Sequence, residues 1–252
     1  ALGDGGPAAE GQLNYPNSIA VDRRGTLFIG ELGRVRKVSA DGTITTVAGG
    51  GSDTPGDGGP ATSARLFNAL RVAVDGSGNL FVADEHYDED TESYGYRIRR
   101  VSPDGIISTL SHIAQFCCYL DMAADAAGNL FVAVGPVVFK VSPEGAQTVV
   151  AGNGGYGAPS GDGRPATQAQ LSGAVAVSVD AAGNLFIADN NGRNIRKVTQ
   201  DGIIRTIVSI PDSVPVVSGD GGPAISTQLQ LAVPGLSSQG GLAADSAGNL
   251  YI

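Results

Sequence analysis

One loop is written four times along this chain: Gly3-Asp4-Gly5-Gly6-Pro7, Gly56-Asp57-Gly58-Gly59-Pro60, Gly161-Asp162-Gly163-Arg164-Pro165 and Gly219-Asp220-Gly221-Gly222-Pro223. A second pattern returns five times, as Gly25-Thr26-Leu27-Phe28, Gly78-Asn79-Leu80-Phe81, Gly128-Asn129-Leu130-Phe131, Gly183-Asn184-Leu185-Phe186 and Gly248-Asn249-Leu250-Tyr251. Its leucines lie 53, 50, 55 and 65 residues apart. A period of that length, filled with short alternating strands, specifies an array of four-stranded units. The repeats run approximately over 3–55, 56–111, 112–160, 161–218 and 219–252, and the last is short.

Residues 18–48 show the plan of one unit. Ser18-Ile19-Ala20-Val21 reads as a first strand and Asp22-Arg23-Arg24-Gly25 as its turn. Leu27-Phe28-Ile29, Val35-Arg36-Lys37-Val38 and Ile44-Thr45-Thr46-Val47 follow as strands two to four. Asp41-Gly42 makes the last hairpin, because glycine tolerates positive φ. The other first strands are 71–74, 120–124, 175–179 and 241–244; the other third strands are 97–101, 137–141 and 194–198. First strands are rich in Ala and Val, which suits a crowded axis. Third strands carry charge and belong farther out. Four-stranded antiparallel units repeated radially make an all-β propeller.

The run Val74-Asp75-Gly76-Ser77-Gly78-Asn79-Leu80-Phe81-Val82-Ala83-Asp84, followed by Arg97-Ile98-Arg99-Arg100-Val101, resembles the NHL repeat. So does Val179-Asp180 through Ala188-Asp189 with Asn194-Ile195-Arg196-Lys197-Val198. The resemblance covers nearly the whole chain, and its Gly-Asp-Gly-Gly-Pro-Ala linkers are similar to those of bacterial NHL proteins. A WD40 propeller is disfavoured because the chain has no Trp. The third unit departs most. Val134 stands where its sisters have Asp84 and Asp189, Phe139 where they have Arg99 and Arg196, and Cys117-Cys118 where the linker signal belongs.

Four complete blades and two strands of a fifth are expected. NHL propellers are most often six-bladed, which at roughly 50 residues a blade needs about 300–330 residues. The chain therefore reads as a fragment of a six-bladed ring, with a natural open arc as the alternative. Open ends would offer surfaces for self-association.

With a net charge of −9, the chain repels phosphate backbones, so nucleic acid is not an expected partner. No apolar run reaches the roughly 18–20 residues of a membrane span. The resemblance to exported bacterial proteins implies an extracellular or periplasmic setting. Adjacent Cys117 and Cys118 read as two reduced thiols, with a vicinal disulfide or redox pair as the other reading.

Strand direction puts the interblade linkers and the loops joining second to third strands at one end of the blades. The other end carries short turns that repeat from unit to unit. The linker end holds the long loops, and binding residues tend to sit on loops held by a rigid scaffold. Segment 84–96 occurs once and carries Asp84, Glu85, Asp88, Glu89, Asp90 and Glu92. It lacks the spacing of a calcium loop, and its Tyr87, Tyr94 and Tyr96 supply aromatic surface of the kind enriched at interfaces. His86, Tyr87, Asp88, Asp90, Tyr94 and Tyr96 are the candidate partner-binding residues. Asp4, Asp57, Asp162 and Asp220 are expected to be structural: scaffolding is built once per blade, a binding site usually once per protein. An ion-binding nest is the competing reading of those loops.

The chain has two histidines, His86 and His112, so it cannot form a three-histidine zinc site. Peptidylglycine amidating lyase and streptogramin lyase have similar propellers, yet neither the zinc-site histidines of the first nor a His/Glu pair of the second can be carried over. No catalytic residue, metal or cofactor is expected. The reading is a non-catalytic scaffold that recognises a protein, peptide or glycan at its linker end. The alternative is a propeller enzyme of the lyase or lactonase kind with a metal-assisted central site.

Overall fold

The computed structural model describes residues 3–88, 93–113, 120–189, 193–209, 241–245 and 249–252. Four antiparallel four-stranded sheets, each in simple meander order, form blades 1 to 4. Blade 1 is β1 (Ser18–Val21), β2 (Leu27–Glu31), β3 (Arg34–Val38) and β4 (Ile44–Gly49). Blade 2 is β5 (Ala69–Val74), β6 (Leu80–Asp88), β7 (Ser93–Val101) and β8 (Ile107–Ile113). Blade 3 is β9 (Leu120–Ala124), β10 (Leu130–Val134), β11 (Val137–Val141) and β12 (Gln147–Ala151). Blade 4 is β13 (Ala176–Val179), β14 (Leu185–Asp189), β15 (Asn194–Val198) and β16 (Ile204–Ser209). A further pair, β17 (Ala243–Ala244) and β18 (Leu250–Tyr251), gives the two strands expected of a fifth unit. The described helical segments are single 3-10 turns at Ala8–Glu10 and Ala166–Gln168.

The chain divides into two compact units: blades 1 and 2 belong to one, and blades 3 and 4 with β17 and β18 to the other. In the first, Val35, Ala48, Leu66, Val72, Leu80, Val82 and Ile107 form a continuous apolar layer. In the second, Ala133, Val138, Leu171, Val177, Ile187 and Ile204 do the same. Alternate residues of each strand supply these layers, as the period of two in a strand requires.

The recurrent turn owes its sequence to one aspartate. Asp75 Oδ1 accepts the amides of Ser77 and Asn79, and its Oδ2 accepts the Asn79 side-chain amide. Asp125, Asp180 and Asp245 hold Asn129, Asn184 and Asn249 in the same two-point manner. In blade 1 Thr26 replaces the Asn, and Asp22 accepts the amides of Arg24 and Thr26.

The linkers pack differently from a plain connection. Pro7, Pro60 and Pro165 bridge antiparallel to Thr43, Ile106 and Ile203. The linker amides of Gly5, Gly58 and Gly163 donate to the carbonyls of Ile44, Ile107 and Ile204. Each linker thus edges the fourth strand of the blade that follows it in sequence. Both glycines of each described Gly-Asp-Gly are left-handed, at φ +76° and +82° in the first copy and +74° and +79° in the second. A Cβ on Gly161 would lie 2.8 Å from the Ala169 backbone, so space as well as φ demands glycine there.

Residues 84–88 and 93–96 of the segment expected as a loop are instead strand. β6 and β7 continue past their sister strands, with Glu85 opposite Tyr96, His86 opposite Gly95, Tyr87 opposite Tyr94 and Asp88 opposite Ser93. Alternation of Tyr, charge and Gly lets both faces of this ribbon tolerate solvent, so pairing continues where blade 1 turns at Leu32-Gly33.

Candidate functional site

The ribbon on blade 2 brings Tyr87 and Tyr94 into a cross-strand pair, with ring centroids 4.8 Å apart and planes tilted by 57°. The two rings remain 42% and 59% exposed. Such a pair presents rigid, amphipathic surface at little cost in side-chain entropy. Tyr96, on the same strand as Tyr94 and also expected as a contact residue, is buried and offers little surface to a partner. His86 meets His112 of β8 edge to face, with centroids 6.1 Å apart. That approach was not legible in the sequence, because it depends on β8 lying beside β7. Among the described residues no cluster of three or more His, Cys, Asp or Glu could hold a metal ion. The side chain of Asp88, and Asp90, Cys117, Cys118 and Asp220 altogether, lie outside the described residues.

Asp84 is the root of the ribbon. It is fully buried and accepts the amides of Phe67 and Asn68 on Oδ1 and the Arg97 guanidinium on Oδ2, at 2.7, 3.1 and 2.8 Å. Burial pushes its carboxyl above the ordinary range, against the opposing pull of Arg97 and of the two amides. So Asp84 is not available as a ligand carboxylate. It fixes the segment before β5 to the middle of β6. Glu85 accepts from the Asn68 side chain at 3.4 Å.

The linker aspartates form a second recurring constellation. Asp4, Asp57 and Asp162 each accept a guanidinium hydrogen bond, from Arg36, Arg99 and Arg196, at 2.6, 2.7 and 2.7 Å. The three arginines are fully buried, whereas the aspartates are half exposed. Each guanidinium also donates to a carbonyl before or after its aspartate: Gln12, Pro55 or Ser160. Thr46 Oγ1 donates to Asp4, and Thr206 donates to Asp162 through amide and hydroxyl. At Arg99 burial lowers the affinity for a proton while Asp57 works the other way. The third strands are expected farther from the axis on account of their charge; their central arginines Arg36, Arg99 and Arg196 are nevertheless buried and meet the linkers.

The bulge that accompanies each arginine is common to all four blades. Register shifts fall at Val35/Arg36, Ile98/Arg99, Val138/Phe139 and Ile195/Arg196. A bulge re-aims one side chain relative to its neighbours. Blade 3 keeps the bulge and loses the ions, with Phe139 in the arginine position and Val149 opposite it where the others have Thr46, Thr109 and Thr206.

The Teneurin NHL domain profile matches residues 1–55 and 98–234. The chain belongs to that family. Teneurin-3 of Mus musculus is 28% identical over 235 residues, which covers 78% of this chain and 8% of that protein. Teneurin-3 of Danio rerio is 30% identical over 185 residues, 62% of this chain and 6% of its own length. Human teneurin-1 is 26% identical over 268 residues, 99% of this chain and 8% of its own length. This NHL domain chain therefore spans less than a tenth of the curated relatives it matches. The fold also matches an auxiliary nutrient binding protein of Bacteroides ovatus, with a TM-score of 0.64 at 12% identity, over 96% of this chain and 57% of that one. Inactive virginiamycin B lyase of Staphylococcus aureus aligns at a TM-score of 0.52 and 13% identity, over 92% of this chain and 75% of the lyase. At those identities the likeness is one of fold. The NHL resemblance and the propeller class are confirmed. The bacterial type is not, because the curated relatives are animal teneurins. No described helix of the NHL domain chain is long and apolar enough to cross a membrane.

Proposed function

We propose that this NHL domain chain is a non-catalytic binding module that takes a protein, peptide or glycan at the linker end of blade 2. The observation that carries the reading is the exposed Tyr87–Tyr94 pair, held on a paired ribbon whose root is locked by Asp84 and Arg97. Aromatic side chains presented on rigid scaffold are the usual anchors of interfaces. His86 adds a neighbouring polar edge, and Asp88 and Asp90 would add charge favouring a basic partner and salt-sensitive association. The linker aspartates are structural in this reading, because their carboxylates are already committed to buried arginines. An extracellular setting is compatible with the teneurin relatives.

The test is a pair of proteins: the intact chain, and the same chain with residues 86–95 replaced by Asn-Gly. Blade 1 already turns in two residues one strand pair nearer the blade, so a two-residue hairpin has a precedent in this fold. Both are applied to peptide and glycan arrays. Ligands captured by the intact chain should be lost by the shortened one. If every capture survives while thermal unfolding shows the fold retained, the ribbon is not the site.

A further inference from the structure

At the turn end of the first unit a cleft of about 570 Å³ opens between blades 1 and 2, a volume typical of small-ligand sites. Its cationic side chains are Arg23 and Arg24 from the β1–β2 turn and Lys37 from β3. Lys37 belongs to the repeat, since Arg100, Lys140 and Lys197 stand in the same place. Arg23 and Arg24 do not. The sister turns read Gly76-Ser77, Ala126-Ala127, Ala181-Ala182 and Ser246-Ala247. Two adjacent arginines on one turn stand out in a chain of net charge −9.

Arg24 lies within electrostatic reach of Asp22 and Lys37 of Asp41, and among the described residues none of the three cations is fixed by a close contact. No side-chain hydrogen bond or ion pair among the described residues holds Arg23, Arg24 or Lys37. The Arg23 guanidinium reaches across to the turn of blade 2, where a Cβ on Gly76 would come within 3.3 Å of it. The two carboxylates of the lining, Asp22 and Asp75, are turned into their own loops and accept backbone amides there. Thr26, Ser39, Ser77 and Ser102 add hydroxyls that both donate and accept, and Phe28 adds an apolar surface.

We propose that this cleft binds an acidic oligosaccharide, with a sugar carboxylate held by Arg23 and Arg24 and ring hydroxyls by the Ser and Thr side chains. Guanidinium groups match a carboxylate with two parallel hydrogen bonds. Three cations beside two carboxylates suit a ligand with one anionic group among many hydroxyls. A polyanion such as an acidic peptide would meet Asp22 and Asp75 as well as the arginines. The site lies at the opposite strand ends from the tyrosine ribbon and stands independently of it.

The test is calorimetric titration of the full chain with sialyllactose, lactose and triglutamate. Sialyllactose should bind saturably and lactose at least about tenfold more weakly, because it lacks the charged contact. The double variant Arg23→Ala, Arg24→Ala should lose at least about tenfold for sialyllactose. Blades 3 and 4 carry Ala-Ala in that turn, so the variant keeps a sequence the fold already uses. Replacement of 86–95 by Asn-Gly should leave this binding unchanged. The proposal is overturned if sialyllactose does not saturate, if lactose binds equally, if triglutamate binds more tightly, or if the folded double variant binds like the parent. Loss of binding in the shortened-ribbon protein alone would move the sugar site to the ribbon and also overturn it.

Discussion

In blade 2 the second strand reaches Asp84, the third carries Arg99 and the fourth offers Thr109; in blade 3 the same positions hold Val134, Phe139 and Val149. The linker aspartate goes too, since no Asp lies in 113–119. The bulge and the strand register nevertheless persist. The blade geometry is thus separable from the ionic set that decorates it. The energetics explain why the set was exchanged whole. Replacing every partner of a buried ion network by apolar groups can be nearly neutral, whereas removing one partner leaves a buried charge uncompensated.

The largest expected difference between the two blades follows from that asymmetry. Asp84→Ala removes the acceptor of two amides and of Arg97, all in the interior. It should cost about 3–5 kcal/mol in denaturant unfolding. Val134→Ala deletes two buried methyl groups and leaves a small cavity, at about half that cost. Equal costs would mean that the ionic set adds nothing beyond packing.

Asp57→Asn probes the exposed end of the same network. The carboxylate side chain is 38% exposed while its Arg99 partner has none. Water can partly replace the lost charge, so about 1–2 kcal/mol is expected rather than the full penalty of a buried pair. A loss as large as that of Asp84→Ala would show the linker contact to be as dry as the strand contact.

Blade 4 gives the comparison a pH axis. Burial pushes the Asp162 carboxyl upward, but bonds from Thr206 and the Arg196 guanidinium outweigh it and hold it below the ordinary 3.8. Its stabilisation is complete above that value and disappears as pH falls through the lower folded pKa. Asp162→Asn should differ from the parent by a constant amount from neutral pH down to about pH 5, and the gap should close in acid. The matching position before blade 3 has no carboxylate to titrate. A gap that widens in acid would reverse the sign and refute the assignment.

Much of this was legible in the sequence, for physical reasons. Period and alternation placed the strands of residues 18–208, because each unit must bury one set of side chains and turn at Asp and Gly. The departure of Val134 and Phe139 was also visible. Their meaning was not, because Asp57 and Arg99 lie 42 residues apart and meet only once the linker folds back along β8. Joint presence of linker Asp, strand-three Arg and strand-four Thr in three units, and joint absence in one, was the signal that could have paired them. Segment 84–96 looked like a loop because its charges hid the alternation that lets β6 and β7 continue. The Arg23-Arg24 turn looked routine because the turns around it are.

The smallest effect isolates the threonine member of the set. Thr46 Oγ1 donates to Asp4 at 2.8 Å, near the protein surface. Thr46→Val keeps the shape and the strand preference and removes that one bond, so a loss of about 0.5–1 kcal/mol is expected. The reverse change in blade 3, Val149→Thr, places a hydroxyl where no linker aspartate waits. Val149 is 39% exposed, so the new group is hydrated rather than stranded. Its effect should stay within about 0.5 kcal/mol. Chemical denaturation of both variants under one condition resolves the two cases only if the m-value is unchanged, which the conserved shape favours. If Val149→Thr costs as much as Thr46→Val, the cost belongs to changing a side chain on the fourth strand. The hydrogen bond to Asp4 then contributes nothing.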